Sequence, residues 1–402
     1  MATVTWIGKR QITRYSRPYT AGGTTTGTYG FTINGKTVSI TGDGGTAAVQ
    51  AASLQAALAA STEPEFAECT WTVSGAVVTV TGPADGAPLT ISTSVSGSAT
   101  LTAGTATSAT SPFDLADTAN YSGGALPSNN DTLVFPANSA DVLYGLDALT
   151  SVTGLTIKRE ANGPKIGLQD WKAPGYREYR QTTLITAATT LNIDLGTEQG
   201  FRTLRFDLKG TPTTTAYVVG QNATAAGQES LEIQRPGTLT CYISGGSVAV
   251  TPGSGGSLAM TLLSAVNGAT ASVGTGITVT TLTYNQSGGI VESSFTTLNQ
   301  NGGTTEVRGT AAGTPVIDAG TVSWKGTGTI TNAVLGSGGL LDTSAGVGAI
   351  TVSGAIVMNE GSSLNDPTAR LTKTYSIQLN RTGIGGVSLS VGEHCKVTVD
   401  TY

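Results

Sequence analysis

The chain has 402 residues, of which 12% are charged, 38% are hydrophobic and 55 are glycine, with a formal net charge of −5. This balance excludes disorder, which needs low hydrophobicity or high net charge, and the absence of a compact Lys/Arg block argues against nucleic-acid binding. No apolar run approaches the roughly 18 residues a membrane span requires, and Cys69, Cys241 and Cys395 are too scattered for a disulfide framework or a CxxC metal site.

The charges are segregated along the chain. Residues 1–36 carry Lys9, Arg10, Arg14, Arg17 and Lys36 and no acid, residues 37–157 carry ten acids and no Lys or Arg, and residues 158–209 turn basic again. Such asymmetry predicts segments that dock on differently charged surfaces. The first segment, 1–23, interleaves Trp6, Tyr15 and Tyr19 with the arginines and is predicted to be an extended basic arm, because aromatics and arginines are the residue types enriched at interface hot spots. Its opening residues lack the apolar core of a signal peptide, so synthesis in the cytoplasm without Sec export is expected.

Residues 24–103 read as a small α+β domain of order ββαβββ. "FTINGKTVSI" places apolar alternation on both sides of Asn34-Gly35, a strong hairpin signal. "TAAVQAASLQAALAAS" offers Thr46 as N-cap, Leu54 and Leu58 on one face and Pro64 beyond its end, which predicts a helix. "CTWTVSGAVVTV" reads as a second hairpin turning at Ser74-Gly75. An Ala/Thr/Ser/Gly linker is expected over 104–115.

From 116 to 370 nearly every apolar cluster is short, β-branched and followed by Gly, Asn or Ser-Gly. The expected fold class is therefore mainly β, with an elongated parallel β-helix or solenoid-like body after the small domain; a series of β-sandwiches is the competing reading. Gly-Gly pairs at 245, 288, 302 and 338 mark corners where the backbone needs positive φ. Their spacing suggests about 18 to 22 residues per turn and about nine turns over 181–365, with the pairs at 288 and 302 as two corners of one turn. In the tail, 371–402, alternation at Tyr375, Ile377 and Leu379 and again at Val387, Leu389 and Val391 predicts a short antiparallel cap or oligomerisation segment.

Catalytic chemistry finds little to stand on. The single histidine, His394, neighbours Cys395, but adjacent residues on a strand face opposite ways. Glu292 and Glu306, with Arg308 beside them, form the best carboxylate candidate for a polysaccharide-active enzyme. Neither a phosphate-binding loop nor a calcium loop is complete, so no enzyme activity, cofactor or metal is expected.

The segment Asn120 to Pro136, "NYSGGALPSNNDTLVFP", followed by "DVLYGLD", "LTIKR", "KIGL" and "YREYR", resembles a module of tailed-bacteriophage virion structural proteins. The preceding "FTINGKTVSI…LQAALAASTEPEFAECTW" is similar to a small domain that accompanies it. The resemblance covers about Thr28 to Arg180. It implies a non-enzymatic virion protein, a capsid decoration protein or head fibre working as a homo-oligomer, most simply a homotrimer, on the major capsid protein or another virion protein. The anchoring residues it suggests are Trp6, Lys9, Arg10, Arg14, Tyr15, Arg17 and Tyr19, with Lys158, Arg159, Arg177 and Arg180 as further contacts. The alternatives are a tail fibre or tailspike that binds a host surface glycan, and a secreted β-helical polysaccharide-active enzyme.

Overall fold

The computed structural model describes residues 1–23, 26–160, 162–167, 183–195, 204–209, 213–220, 230–234, 237–253, 258–372, 376–380, 386–391 and 396–400. Of the described residues 53% are in strands and 6% in helices. The first residues, β1 (Thr3–Thr5), do not project: they pair in parallel with β9 (Asp131–Phe135), and β9 pairs in turn with β10 (Gly154–Arg159). From there to residue 400 every ladder between named strands is parallel. One position of the ladder can be followed through Val4, Leu133, Ile157, Ile193, Val218, Ile243, Ala265, Tyr284, Gln300, Ile317, Leu335, Met358 and Leu379 to Val399. From Leu133 to Leu379 these residues are buried. A second buried column on another face runs Phe206, Ile233, Val250, Val273, Val291, Val307, Trp324. Parallel strands with one apolar residue per turn on each inward position are what a stacked solenoid requires. The fourteen rungs span roughly 60 Å at the usual strand spacing. Serial sandwiches would need antiparallel ladders, which are absent from this body among the described residues.

Nine rungs fall between 181 and 365, the expected number, but the turn length is less regular than the sequence suggests. It is 16 residues between Asn285 and Asn301 and 36 between Thr156 and Asn192. The Gly-Gly pairs at 288 and 302 are not two corners of one turn. Gly289 lies opposite Thr305, and a Cβ on Gly303 (φ +80°) would sit 2.2 Å from the Ser287 carbonyl oxygen one turn below. The two pairs therefore occupy successive turns, and close stacking of backbones is what excludes a side chain there.

The predicted antiparallel C-terminal cap is corrected as well. Strand 376–380 pairs in parallel with 355–359 and with 396–400, and 388–390 pairs in parallel with 363–365, so the tail continues the stack. A period-two alternation marks which residues face inward and is blind to the direction of the partner strand.

The small domain is an insertion. After β1 the chain leaves the solenoid and enters β2 (Ser16–Gly23). It then forms β3 (Thr28–Ile33), β4 (Lys36–Thr41), α1 (Ala47–Ala59), α2 (Pro64–Ala67), β5 (Thr70–Ser74), β6 (Val77–Thr81), β7 (Ile91–Val95) and β8 (Ala99–Ala103). One sheet has the order β5-β6-β2-β8 and the other β4-β3-β7. Both expected hairpins are present, with Asn34 and Gly35 at φ +47° and +82° and Gly75 at +55°. Leu54 and Leu58 of α1 are buried against Phe31, Trp71 and Tyr19 in one core. Thr46 occupies the N-cap without a side-chain hydrogen bond; Asp43 instead accepts from the Gly45 N–H (2.9 Å) and Gln50 Nε2 (2.5 Å). Segment 104–115 retraces the outgoing chain, with Thr13 and Thr110 exchanging backbone hydrogen bonds at 3.0 Å, so two antiparallel connections join the bodies. Asp85 secures the junction: its carboxylate accepts from the Tyr144 hydroxyl and its carbonyl from Ser111 Oγ (2.8 Å).

Candidate functional site

The insertion decides where the expected anchoring residues lie. Trp6 is fully buried at the end of the solenoid; it donates Nε1–H to the Ala140 carbonyl (2.7 Å) and packs edge-on against Tyr121 at 5.4 Å. Tyr19 is buried in the small-domain core against Phe31, and burial pushes its hydroxyl pKa well above the ordinary value. Tyr15 is half-buried on the same core. Neither Trp6 nor Tyr19 can reach a partner, which corrects the reading of 1–23 as an extended arm: an aromatic that looks like an interface anchor is equally a core residue when its strand has a place in a sheet.

The arginines are similarly occupied. Arg10 pairs with Asp117 at 3.2 Å. Arg14 donates to the Gly82 carbonyl (2.7 Å), Arg17 to the Gly104 carbonyl (2.9 Å), and Arg159 to the Pro164 and Gly163 carbonyls (2.9 and 2.6 Å). Lys9 and Lys158 are exposed. Arg177 and Arg180 lie outside the described residues, as do His394 and Cys395. Cys69 and Cys241 are buried thiols, pushed up by burial to about 11 and about 12, which makes them inert.

Lys158 borders a feature that the sequence reading missed. On the outer face of the solenoid a groove of about 440 Å3 is lined by Thr156, Lys158, Asn192, Asp194, Tyr217, Val219, Tyr242, Ser244 and Val266. Tyr217 and Tyr242 occupy the same outward ladder position on successive turns. Their rings stack at 5.2 Å and 11°, and they are 48% and 39% exposed. Strands 214–219 and 238–244 alternate inward apolar residues with outward ones, so the signal was there: "TAYVV" and "TCYIS" each set a tyrosine on the face that should be polar. Together with Val219, also exposed, they make an apolar stripe flanked by Lys158 and Asp194, which are opposite each other in register.

The carboxylate candidate is a surface ion cluster. Glu306 bonds Arg308 and, at 2.6 Å, Lys325 Nζ. Burial raises its pKa, but the hydrogen bonds and charges of Arg308 and Lys325 outweigh that and hold it below its ordinary value. A carboxylate held ionised by two cations does not suit a general acid. In register Glu306 faces Ile290 and not Glu292, so the two acids do not oppose one another across turns. Among the described residues no group of three or more His, Cys, Asp or Glu side chains gathers as a metal site would. No family model, curated protein or solved structure matches this chain.

Proposed function

We propose that this chain is a structural component of a tailed-phage particle, a capsid decoration protein or head fibre. In this reading it assembles as a homo-oligomer, a trimer being the simplest, and docks on the major capsid protein or another virion protein through the side of its solenoid. The observation that carries the reading is the exposed Tyr217–Val219–Tyr242 stripe on the outer face of the ladder, because exposed aromatics at the centre of an apolar patch are what protein interfaces are built around. The sequence resemblance over Thr28 to Arg180 supports it independently.

Deleting 1–23 is not a clean test, since Trp6 and Tyr19 are core residues. The test is the triple substitution Lys158→Glu, Tyr217→Ser, Tyr242→Ser, which changes exposed positions only. The variant protein should fold and melt as wild type, within about 1 kcal/mol, and should be lost from purified particles. Normal incorporation would sink the docking role.

The stacked tyrosines also favour a second reading, a fibre that binds host surface glycan, because two exposed aromatic rings bordered by Asn192, Thr156 and Asp194 offer an apolar body with polar edges to a sugar. In that case the same variant is incorporated normally and particles fail to adsorb to host polysaccharide.

A further inference from the structure

The outward ladder position that carries Tyr217 and Tyr242 continues far along the solenoid. On the next three turns it holds Ser264, Thr283 and Asn299, then Val316, Val334 and Val357, and after them Gln378. The three valines are half-buried, so the column has an apolar patch towards each end and a polar centre. Over the ten turns from Asn192 to Gln378 it contains no charged residue, and the residues two to either side on each strand add only Asp194 and Asp318. The face that carries the Phe206-to-Trp324 column is built differently, with ion pairs from one turn to the next, Arg205 to Glu232 and Lys325 to Glu306. Exposed aromatics where charge is depleted are the compositional mark of the centre of a protein interface. Ten turns at the usual stacking distance and five residues across make a face of about 45 by 17 Å, close to the roughly 800 Å2 that each partner buries in a stable complex.

The two apolar patches are matched in position. Measured from the point between the Thr283 and Asn299 turns, Tyr242 and Val334 are equally far away in opposite directions, and so are Tyr217 and Val357. We propose that this face joins two copies of the chain, face to face and antiparallel, about a two-fold axis at that point. Tyr217 then meets the partner's Val357, Tyr242 meets the partner's Val334, and Thr283 and Asn299 face each other at the centre, where hydroxyl and amide can hydrogen-bond. A parallel pair would set tyrosine on tyrosine at one end and valine on valine at the other, holding the shafts apart at the first and leaving voids at the second, which close packing disfavours. Large against small at both ends keeps the spacing even. A self-complementary interface of this kind closes on two copies. The pair rests on the homo-oligomer of the virion reading, takes two copies in place of three, and leaves the ion-paired face outside for a shell protein.

The test uses the purified full chain. Analytical ultracentrifugation at micromolar concentration should give a dimer. Tyr242→Glu and Val334→Lys each set a charge against an apolar residue and should weaken dimerisation about a hundredfold, leaving monomers that melt as wild type because both positions face outward. Mixed in equal amounts, the two variants should recover the dimer: the introduced carboxylate meets the introduced ammonium at one crossing, and Tyr242 meets Val334 at the other. Misfolded variants could not be rescued in this way. A monomeric or trimeric wild type overturns the pairing, as does dimerisation of either variant at wild-type strength, and variants that stay monomeric when mixed overturn the antiparallel register. Particle incorporation is read separately: a dimer that never enters phage particles would sink the virion reading alone, and a monomer that enters them would sink the pairing alone.

Discussion

Arg370 shows how a single residue can hold several turns of a solenoid in register. It is 5% exposed and donates to six backbone carbonyls. Nε reaches Gly348 (2.9 Å), Nη1 reaches Trp324 (2.6 Å) and Thr343 (2.8 Å), and Nη2 reaches Gly326 (2.6 Å), Lys325 and Val347 (both 3.2 Å). These carbonyls belong to the two turns preceding its own. Asp366, which accepts from the Arg370 and Leu371 N–H groups and from Thr343 Oγ1, supplies the balancing charge. A planar fork of five N–H donors is the one side chain that can satisfy so many acceptors at once. Arg370→Leu leaves those carbonyls buried and unpaired and Asp366 without its cation, so we expect a loss of about 3–5 kcal/mol in chemical denaturation; Arg370→Lys should recover only part of it. In sequence "NDPTAR" reads as a turn with a surface arginine, and nothing in it signals a buried one. Gln300 is a parallel case. It takes an inward ladder position where aliphatic residues are the rule, donating Nε2–H to Ser287 (2.9 Å) and Gly302 (2.6 Å) and accepting from Thr305 Oγ1 (2.6 Å).

Among the elements, β1 has the most conditional place. Three residues pair with β9, and the register is fixed by Asp131, whose carboxylate accepts from the Ala2 N–H (2.6 Å) and the Ser128 N–H (3.0 Å). These bonds, led by the one from Ala2, hold the Asp131 carboxyl below its ordinary value. A depressed carboxylate stabilises the fold above the unfolded value near pH 4 and loses that contribution as pH falls through the folded one. Asp131→Asn should therefore be less stable than wild type at neutral pH, with the gap closing below about pH 4. A gap independent of pH would mean that the carboxylate charge is not what holds β1. Elements also mark the reach of the sequence. The helix, both hairpins and the inward positions were legible because they depend on local turn chemistry and on period. The parallel body was expected too, but the direction of the tail strands, the number of faces per turn and the site of β2 were not legible, because a ladder partner can be any segment of matching polarity. The outward tyrosines were readable in principle from strand period alone, and Trp6 and Tyr19 show the converse, aromatics that look like interface anchors and lie in a core.

At the scale of the whole molecule, the two bodies share their first 23 residues: β1 closes the solenoid's first turn and β2 lies in the middle of the small domain's four-stranded sheet. Removal of 1–22 should consequently destabilise both bodies together. Circular dichroism and proteolysis of the truncated chain should show loss of the small domain as well as fraying of the first solenoid turns; an intact small domain would mean that β2 is dispensable to it. The composition segregation takes on a structural meaning here. The acidic stretch 37–157 covers the insertion and the first turns.

The insertion also orders events in time. Thr3 must wait for Thr132 before it has a strand to pair with, a delay of about ten seconds at usual rates of synthesis. Every strand of the inserted domain is complete by Ala103, so that domain can fold first. Once folded, it sets Thr13 beside Thr110. The loop that β1 must close then shrinks from about 130 residues to about 30, which lowers the entropic cost of sealing the solenoid's end by about 1 kcal/mol. The small domain thereby acts as a clasp that delivers the first strand to its place in a stack not yet built.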